Sequence, residues 1–538
     1  MARTNNRQMR SVMEHDFSAG EAPNVQRSMF DRVCSHKTTM DAGLIYPLYT
    51  DEVLPSDTVR MSIDGFVRLT TPIFPTMDNL FIDIHCWFVA MRHVWDNSRK
   101  FFGEQENPED SVDFVVPQIV GEIQEGSLGH YFGLPISTGA ANELSVNALY
   151  FRGYNLIWDE HYRDQDLQQS VKVVKTDGPE RTEDYSLLRR GKRHDYFTSA
   201  RPWPLKGGVE VPLPLGERAD VKGIGMRTTQ QFGNTPTSVY ETNSGGTPVS
   251  YDWISTNWTD GLVARGASGV SGRDPDIYAD LTNATASTVN SLRQAFQIQR
   301  MLERDARFGT RYPEHVKAHF DANFEDLHYR PIYLGGGTRR VVISPIAQTS
   351  NTVSSGDDAS AQGNLAAIGT ANLSDIGFTR SFNEHGMIYV LASIRADLTY
   401  QRGIDRRWSR RTRYDYAYPS LAHLGEQSIL EKEIHWTTQA NGERVWGYQE
   451  RNAEYRYAKS IISGKFDSRA TQSLEAWHYA ESFDSLPPLN NDFIQESPPI
   501  ARTLAVQNQP QFISDWRFSG RWARPLPMFG TPGQMDHF

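Results

Sequence analysis

The chain has 538 residues, is 38% hydrophobic, and carries 55 Lys and Arg against 65 Asp and Glu, a net charge of −10. That balance excludes a protein whose whole surface grips nucleic acid, because such domains are basic, but it permits a local basic face. Two distant cysteines, Cys34 and Cys86, exclude a disulfide scaffold and a cysteine-based metal site, so two reduced thiols are expected. No run of about 18 apolar residues is present, so no transmembrane helix is expected, and Met1 to Arg10 lacks the apolar run of a signal peptide.

Residues 1–35 read as a polar, basic arm in which Arg3, Arg7 and Arg10 either touch phosphates or simply remain solvated. The first strands lie within 44–95. Val59, Met61, Ile63, Val67 and Leu69 alternate with Arg60, Ser62, Asp64 and Arg68. Leu80, Ile82, Ile84, Cys86 and Phe88 repeat the pattern, with Asp83 and His85 opposite. Period-two alternation predicts a sheet with one buried and one wetter face, and Pro72 and Pro75 break the connector between the strands. Residues 96–140 read as loop. From Ala141 to Gln169, Leu144, Val146, Leu149, Tyr150, Tyr154, Ile157 and Trp158 recur at helical steps. Asp159, Glu160 and His161 fan out by about 100° each on a helix and do not converge on one point, which argues against catalysis there. In Arg189–Pro204 a basic turn leads into aromatics locked by two prolines, a rigid ledge suited to packing on a neighbour or stacking a base.

Residues 206–286 are rich in Gly, Ser, Thr and Asn and are expected to form short β-hairpins. An amphipathic helix follows at Val289–Arg307, ended by Gly309. His315 and His319 are four apart, but with no third ligand and no H-E-x-x-H arrangement they are assigned no metal. Gly335–Gly337 lacks the Lys-Ser/Thr pair of a phosphate loop and reads as a flexible turn, and 350–372 as another loop. Met387–Ile394 reads as a buried strand, and the preceding Glu384-His385 has no nucleophile motif beside it. Arg402, Arg406, Arg407, Arg410, Arg411 and Arg413 then interleave with Trp408, Tyr414 and Tyr416. Charge and flat rings together suit single-stranded nucleic acid, and they equally suit intersubunit salt bridges.

Several of these segments carry a family resemblance. Val53-Leu54-Pro55-x-Asp57-Thr58, Thr71-Pro72-x-x-Pro75-x-Met77-Asp78-Asn79, Asp195-Tyr196-Phe197-Thr198 before Pro202-Trp203-Pro204, and Gly309-Thr310-Arg311-Tyr312 are four of them. Phe382-x-Glu384-His385-Gly386, Tyr400-Gln401-x-Gly403-Ile404 and Trp446-Gly447-Tyr448-Gln449-Glu450-Arg451 continue the series. In order and spacing they resemble the major capsid proteins of gokushoviruses, small single-stranded DNA phages of the Microviridae. The resemblance spans about residues 27–538 and thins in 100–140 and 206–286. Leu205 stands where the family has Gln.

The resemblance implies a mainly β fold, an eight-stranded antiparallel jelly roll with long loop insertions and a few helices. It implies a non-enzymatic virion protein, without cofactor, metal or catalytic residues, made and assembled in the bacterial host cytoplasm. Sixty copies would form a T=1 icosahedral shell around circular single-stranded DNA. The implied partners are other copies of the chain, the genome, the phage's internal scaffolding and DNA pilot proteins, and a host surface receptor, with no membrane insertion. Residues 36–205 would form the first part of the core and 287–538 the remainder with C-terminal intersubunit segments. Residues 206–286 would project, with Thr237, Tyr240, Tyr251, Trp253 and Trp258 facing the host. Arg3, Arg7, Arg10, Arg406, Arg407, Arg410, Arg411 and Trp408 would face the genome. The rival readings from residues alone are a receptor-binding spike, although no internal repeat is visible, and a β-rich glycan-active enzyme, although no carboxylate pair stands out.

Overall fold

The computed structural model describes residues 25–137, 143–204, 289–309, 311–322, 330–347, 349, 365–422, 424–436 and 442–530, with six short strands between 220 and 280. These fall into two compact units, one from Met1–Pro202 and Asn323–Phe538, the other from Trp203–Ala322.

The first unit is organised by eight antiparallel strands: β1 (Ser28–Met40), β2 (Ile45–Val53), β3 (Thr58–Leu69), β4 (Leu80–Ala90), β5 (Ile332–Ala347), β6 (Leu365–Ser381), β7 (Gly386–Ala396) and β8 (Phe512–Arg524). Their lateral order is β1-β8-β3-β6-β5-β4-β7-β2. First and last strands pair and the chain returns repeatedly across the barrel, which is the connectivity of a jelly roll. β5 joins its two halves, because Ile332–Val341 pairs with β4 while Val342–Ala347 pairs with β6. The two edge strands are tied by side chains: His36 Nδ1 lies 2.8 Å from the Leu48 carbonyl, and Arg32 meets Asp51 at 2.5 Å. Side-chain closure of this kind leaves little open edge for unwanted pairing.

Alternation explains the barrel interior. Val59, Met61, Ile63, Val67 and Leu69 are buried, and Phe512, Trp516, Phe518 and Trp522 of β8 meet them from the neighbouring strand. Cys86 also points inward, and burial pushes its thiol up to about 12, so it is an inert packing group, while Cys34 is exposed.

The outer face of β4 is not wet, contrary to expectation, and β7 is buried on both faces as expected. Helix α1 (Leu149–His161) lies over them, burying Leu149, Phe151, Tyr154, Ile157 and Trp158 against Trp87, Val89, Met387, Tyr389 and Leu391. The helix approaches so closely that a Cβ on Gly153 would stand 2.1 Å from the Tyr389 hydroxyl, so only glycine fits there. Tyr389 uses that hydroxyl to donate to the Tyr150 carbonyl at 3.1 Å.

Three further expectations are corrected. The arm does not extend to residue 35, because Ser28–Met40 is a full barrel strand held by backbone pairing with β8 despite its mostly polar, exposed side chains. Gly335–Gly337 is strand rather than turn: a Cβ on Gly336 would come within 2.1 Å of the Ile84 carbonyl, so the glycines permit close strand approach. Leu365–Asn372, read as loop, begins β6 because its small residues pair with β5 and β3.

Covering both faces of β4 forces Asp83 out of water, at 1% exposure. Its Oδ2 accepts from Arg190 at 2.7 Å and from Arg395 at 2.9 Å, and its Oδ1 accepts from Thr338 at 2.6 Å. Burial disfavours the carboxylate, but Arg190, Thr338 and Arg395 outweigh it and hold Asp83 down at about 2. Glu496 goes the other way: burial, only partly offset by Lys192, raises it to about 7.

These opposite shifts have opposite consequences for stability. The contribution of Asp83 is complete above about pH 4 and is lost as pH falls toward 2. For Glu496 the folded state holds its proton longer than the unfolded state. Its contribution is therefore full below about pH 4.5 and is lost as pH rises through 7. In urea unfolding of the unassembled chain, Asp83→Asn is expected to cost about 3–5 kcal/mol, since two buried guanidinium groups lose their counter-charge. Glu496→Gln is expected to be more favourable at pH 8 than at pH 5.

Candidate nucleic-acid and subunit interface

The arginine-rich segment follows β7 and runs over a third apolar cluster of Tyr196, Phe197, Ala200, Ile429, Ile434, Trp446, Ala453 and Phe493. Short turns place its side chains. Asp405 caps a single 3-10 turn at Arg406–Ser409 by accepting from the Arg407 amide at 2.9 Å. Asp415 caps the next turn by accepting from the amides of Arg411 and Thr412 at 2.9 and 2.7 Å. With three residues per turn, successive side chains point about 120° apart, so neighbouring arginines leave the chain in different directions and fall into two sets.

One set turns inward. Arg406 donates to the Ser428 carbonyl at 2.7 Å and to Glu433 at 3.2 Å. Burial alone would lower its pKa, but the charge of Glu433 and contacts with Tyr196 and Glu454 raise it above the ordinary guanidinium value. Arg410 donates to Glu454 at 3.3 Å, with its guanidinium 4.6 Å from the centre of the Tyr455 ring and 5.1 Å from that of Tyr416. Glu433 is 3% exposed and also accepts from the Tyr196 hydroxyl at 2.8 Å. Lys459 lies 4.0 Å from Glu433 and 4.1 Å from the centre of the Tyr196 ring, and burial lowers its pKa. Arg402 pairs with Asp484 at 3.2 Å.

The other set faces out. Arg407, Arg411 and Arg413 are exposed, as are Tyr414 and Tyr416, and Trp408 is 75% exposed. The Arg407 guanidinium lies 5.4 Å from the centre of the Trp408 ring, and that of Arg413 4.8 Å from the centre of the Tyr414 ring. Arg407 and Trp408 also border a groove of about 370 Å³ floored by Tyr196, Tyr400 and Lys459. Guanidinium groups held beside exposed rings present phosphate ligands and stacking faces together. Of the residues expected to face the genome, Arg407, Arg411 and Trp408 are thus available to a partner, while Arg406 and Arg410 are engaged within the chain. Arg3, Arg7 and Arg10 lie outside the described residues.

Tyr240 lies in a two-residue strand opposite Ser250, and Thr237, Tyr251, Trp253 and Trp258 lie outside the described residues. Among the described residues, the second unit has three nested antiparallel ladders: Asp220–Lys222 with Tyr278–Asp280, Ile224–Met226 with Leu262–Ala264, and Tyr240–Glu241 with Val249–Ser250.

Other suspected sites resolve into packing. Asp159 pairs with Arg163 at 2.7 Å, whereas His161 stacks on Trp87 at 4.1 Å and hydrogen-bonds the Pro331 carbonyl at 3.0 Å. Glu384 pairs with Arg92 at 2.6 Å and His385 stacks on Phe102 at 3.8 Å. In the basic turn, Arg190 and Lys192 are internal clamps: Lys192 binds Glu481 at 2.8 Å. Sequence reasoning missed Glu433 and Glu454, the carboxylates that select which arginines turn inward. Glu433 and Glu454 stand 27 and 44 positions from Arg406 and Arg410, and no local spacing assigns them as partners.

Jelly rolls serve viral shells, lectins and cupins alike, so the fold alone leaves the class open. The surface narrows it: Met77, Val115, Trp408, Ile461 and Phe529 are all strongly exposed, as befits a protein that buries its surface in an assembly. Comparison with known proteins then decides. The family model described as capsid protein (F protein) matches residues 19–534. The chain is 42% identical to capsid protein VP1 of Bdellovibrio phage phiMH2K over 98% of both chains. It is 38% identical to capsid protein VP1 of Chlamydia phage 1 over 98% of this chain and 99% of that one, and 32% identical to capsid protein VP1 of Spiroplasma virus 4 over 96% and 97%. The chain belongs to the phage capsid protein (F protein) family, among the gokushovirus-type members of the Microviridae. It is a major capsid protein, a structural component of the virion rather than an enzyme. No described helix is long and apolar enough to cross a membrane.

The two sets of arginines make separable predictions. Arg406→Gln leaves buried Glu433 with weaker partners and is expected to cost about 1–3 kcal/mol of unfolding free energy. Arg407→Gln, at an exposed position, is expected to stay within about 0.5 kcal/mol of the parent chain. Urea titration of the two unassembled variants checks both.

Proposed function

We propose that sixty copies of this chain close into a T=1 icosahedral shell around a circular single-stranded DNA genome. What carries this reading is the family membership of a jelly-roll chain whose surface keeps large apolar and aromatic side chains exposed. Repetition of weak symmetric contacts around closed axes supplies avidity without any single strong interface. Arg407, Arg411, Arg413 and Trp408 contact the genome, in keeping with sequence-independent phosphate and base-stacking binding. Exposed Ile461 and Leu424 nearby support a second role for the same region in subunit contact. Residues 206–286 contact the host receptor, and the shell is built with the phage's scaffolding and DNA pilot proteins.

The test is particle formation from the phage genome carrying defined variants. Arg407→Gln with Arg411→Gln is expected to give particles with a lowered ratio of DNA-filled to empty shells in a density gradient. A normal ratio would remove the genome-facing role, and loss of all particles would assign these arginines to subunit contact. Failure of the parent chain to form icosahedral particles by electron microscopy would overturn the shell reading itself. Because Lys222 pairs with Tyr278, excising 223–277 and joining the ends with a short turn is expected to preserve particles but abolish adsorption to host cells.

A further inference from the structure

The second unit holds a side-chain cluster that none of these roles uses. Helices α2 (Val289–Phe308) and α3 (Tyr312–Phe320) are consecutive, and α2 ends at Gly309, whose φ of +91° allows the chain to reverse. The start of α3 is fixed by Glu314, which accepts from the Arg311 amide at 3.3 Å, and by Pro313 in its first turn. His315 and His319 stand one turn apart on one face of α3, with ring centres 4.5 Å apart. Asp305 reaches them from α2: its Oδ1 lies 2.7 Å from His319 Nε2 and 3.4 Å from His315 Nδ1.

We propose that Asp305, His315 and His319 form a binding site for a transition-metal ion of the zinc class. Their ligating atoms all lie within 4.8 Å of one another. Around a tetrahedral zinc with bonds of about 2.0–2.1 Å, ligand atoms stand roughly 3.3 Å apart, so modest side-chain rotations suffice. Two imidazoles and one carboxylate suit zinc, cobalt, nickel or copper, whereas magnesium and calcium favour all-oxygen sites. The carboxylate–imidazole contact present here is one that a metal can replace by taking the position between them. His319 and Asp305 are largely covered while His315 is half exposed, so an ion can enter from solvent and keep a fourth position open. With two imidazoles and one carboxylate drawn from two consecutive helices, the site's role is to clamp α2 to α3.

The experiment uses the full-length chain, stripped of metal by chelator and then titrated with Zn2+ by calorimetry and with Co2+ by visible absorption. The parent chain is expected to bind one ion tightly, with a cobalt d–d spectrum of low-symmetry nitrogen and oxygen coordination. His315→Gln with His319→Gln is expected to lose that spectrum and the tight phase. Asp305→Asn, which keeps both imidazoles and a hydrogen-bonding oxygen, is expected to weaken binding by at least about 10- to 100-fold. Circular dichroism of each variant checks that the helices persist. Equal Zn2+ affinity and stoichiometry in the parent, double-histidine and Asp305 variants would overturn the site, as would absence of tight binding by the parent.

Discussion

The constraint on which the rest of this structure depends is the burial of Asp83 in a strand covered on both sides. A jelly-roll strand ordinarily has one face for the core and one for solvent. Here α1 and the segment after it roof over β4 and β7, and the carboxylate that alternation would place in water becomes a buried anion. It is tolerable only because Arg190 arrives from the roof and Arg395 from the neighbouring strand. The network therefore couples three parts of the chain that are far apart in sequence, and it makes the covering layer a fixed part of the barrel.

The same logic recurs wherever this chain brings distant segments together. The proline-bearing connector 70–79 is anchored by a segment four hundred positions later: Phe74 stacks on Trp477, and Asp78 accepts from the Tyr479 amide at 2.8 Å. The basic turn at Arg189–Arg193 reads as an external ledge, yet Arg190 and Lys192 bind Asp83 and Glu481 internally. Glu433 and Glu454 act likewise on Arg406 and Arg410. The side chains left over after these internal demands, Arg407, Arg411, Arg413, Trp408 and the tyrosines, are the ones a genome or a neighbouring subunit can meet. An assembly protein with many charges needs this division, because an unpaired buried charge destabilises the subunit, whereas an exposed one costs little until a partner arrives.

The sequence alone determined the barrel interior. In Val59–Leu69 and Leu80–Phe88 apolar residues occupy every second position except Gly65, and that period, bounded by proline-bearing turns, reads as strand. It also determined the helix at Val289–Arg307, the buried strand at Met387–Ile394, and, through ordered motifs along the chain, the capsid family. It did not reveal β1, whose exposed side chains carry no alternation and whose place rests on backbone bonds to β8. Only the tertiary structure decided the fate of the charges. Asp83 looks solvated in its own strand, the six arginines look equivalent in theirs, and His315 and His319 look like a pair without a third ligand. Asp305 lies 14 positions from His319, Glu433 27 positions from Arg406, and Asp83 more than 300 positions from Arg395. Local periodicity reports which face of an element is apolar, but electrostatic pairing depends on which elements the folded chain brings within a few ångströms.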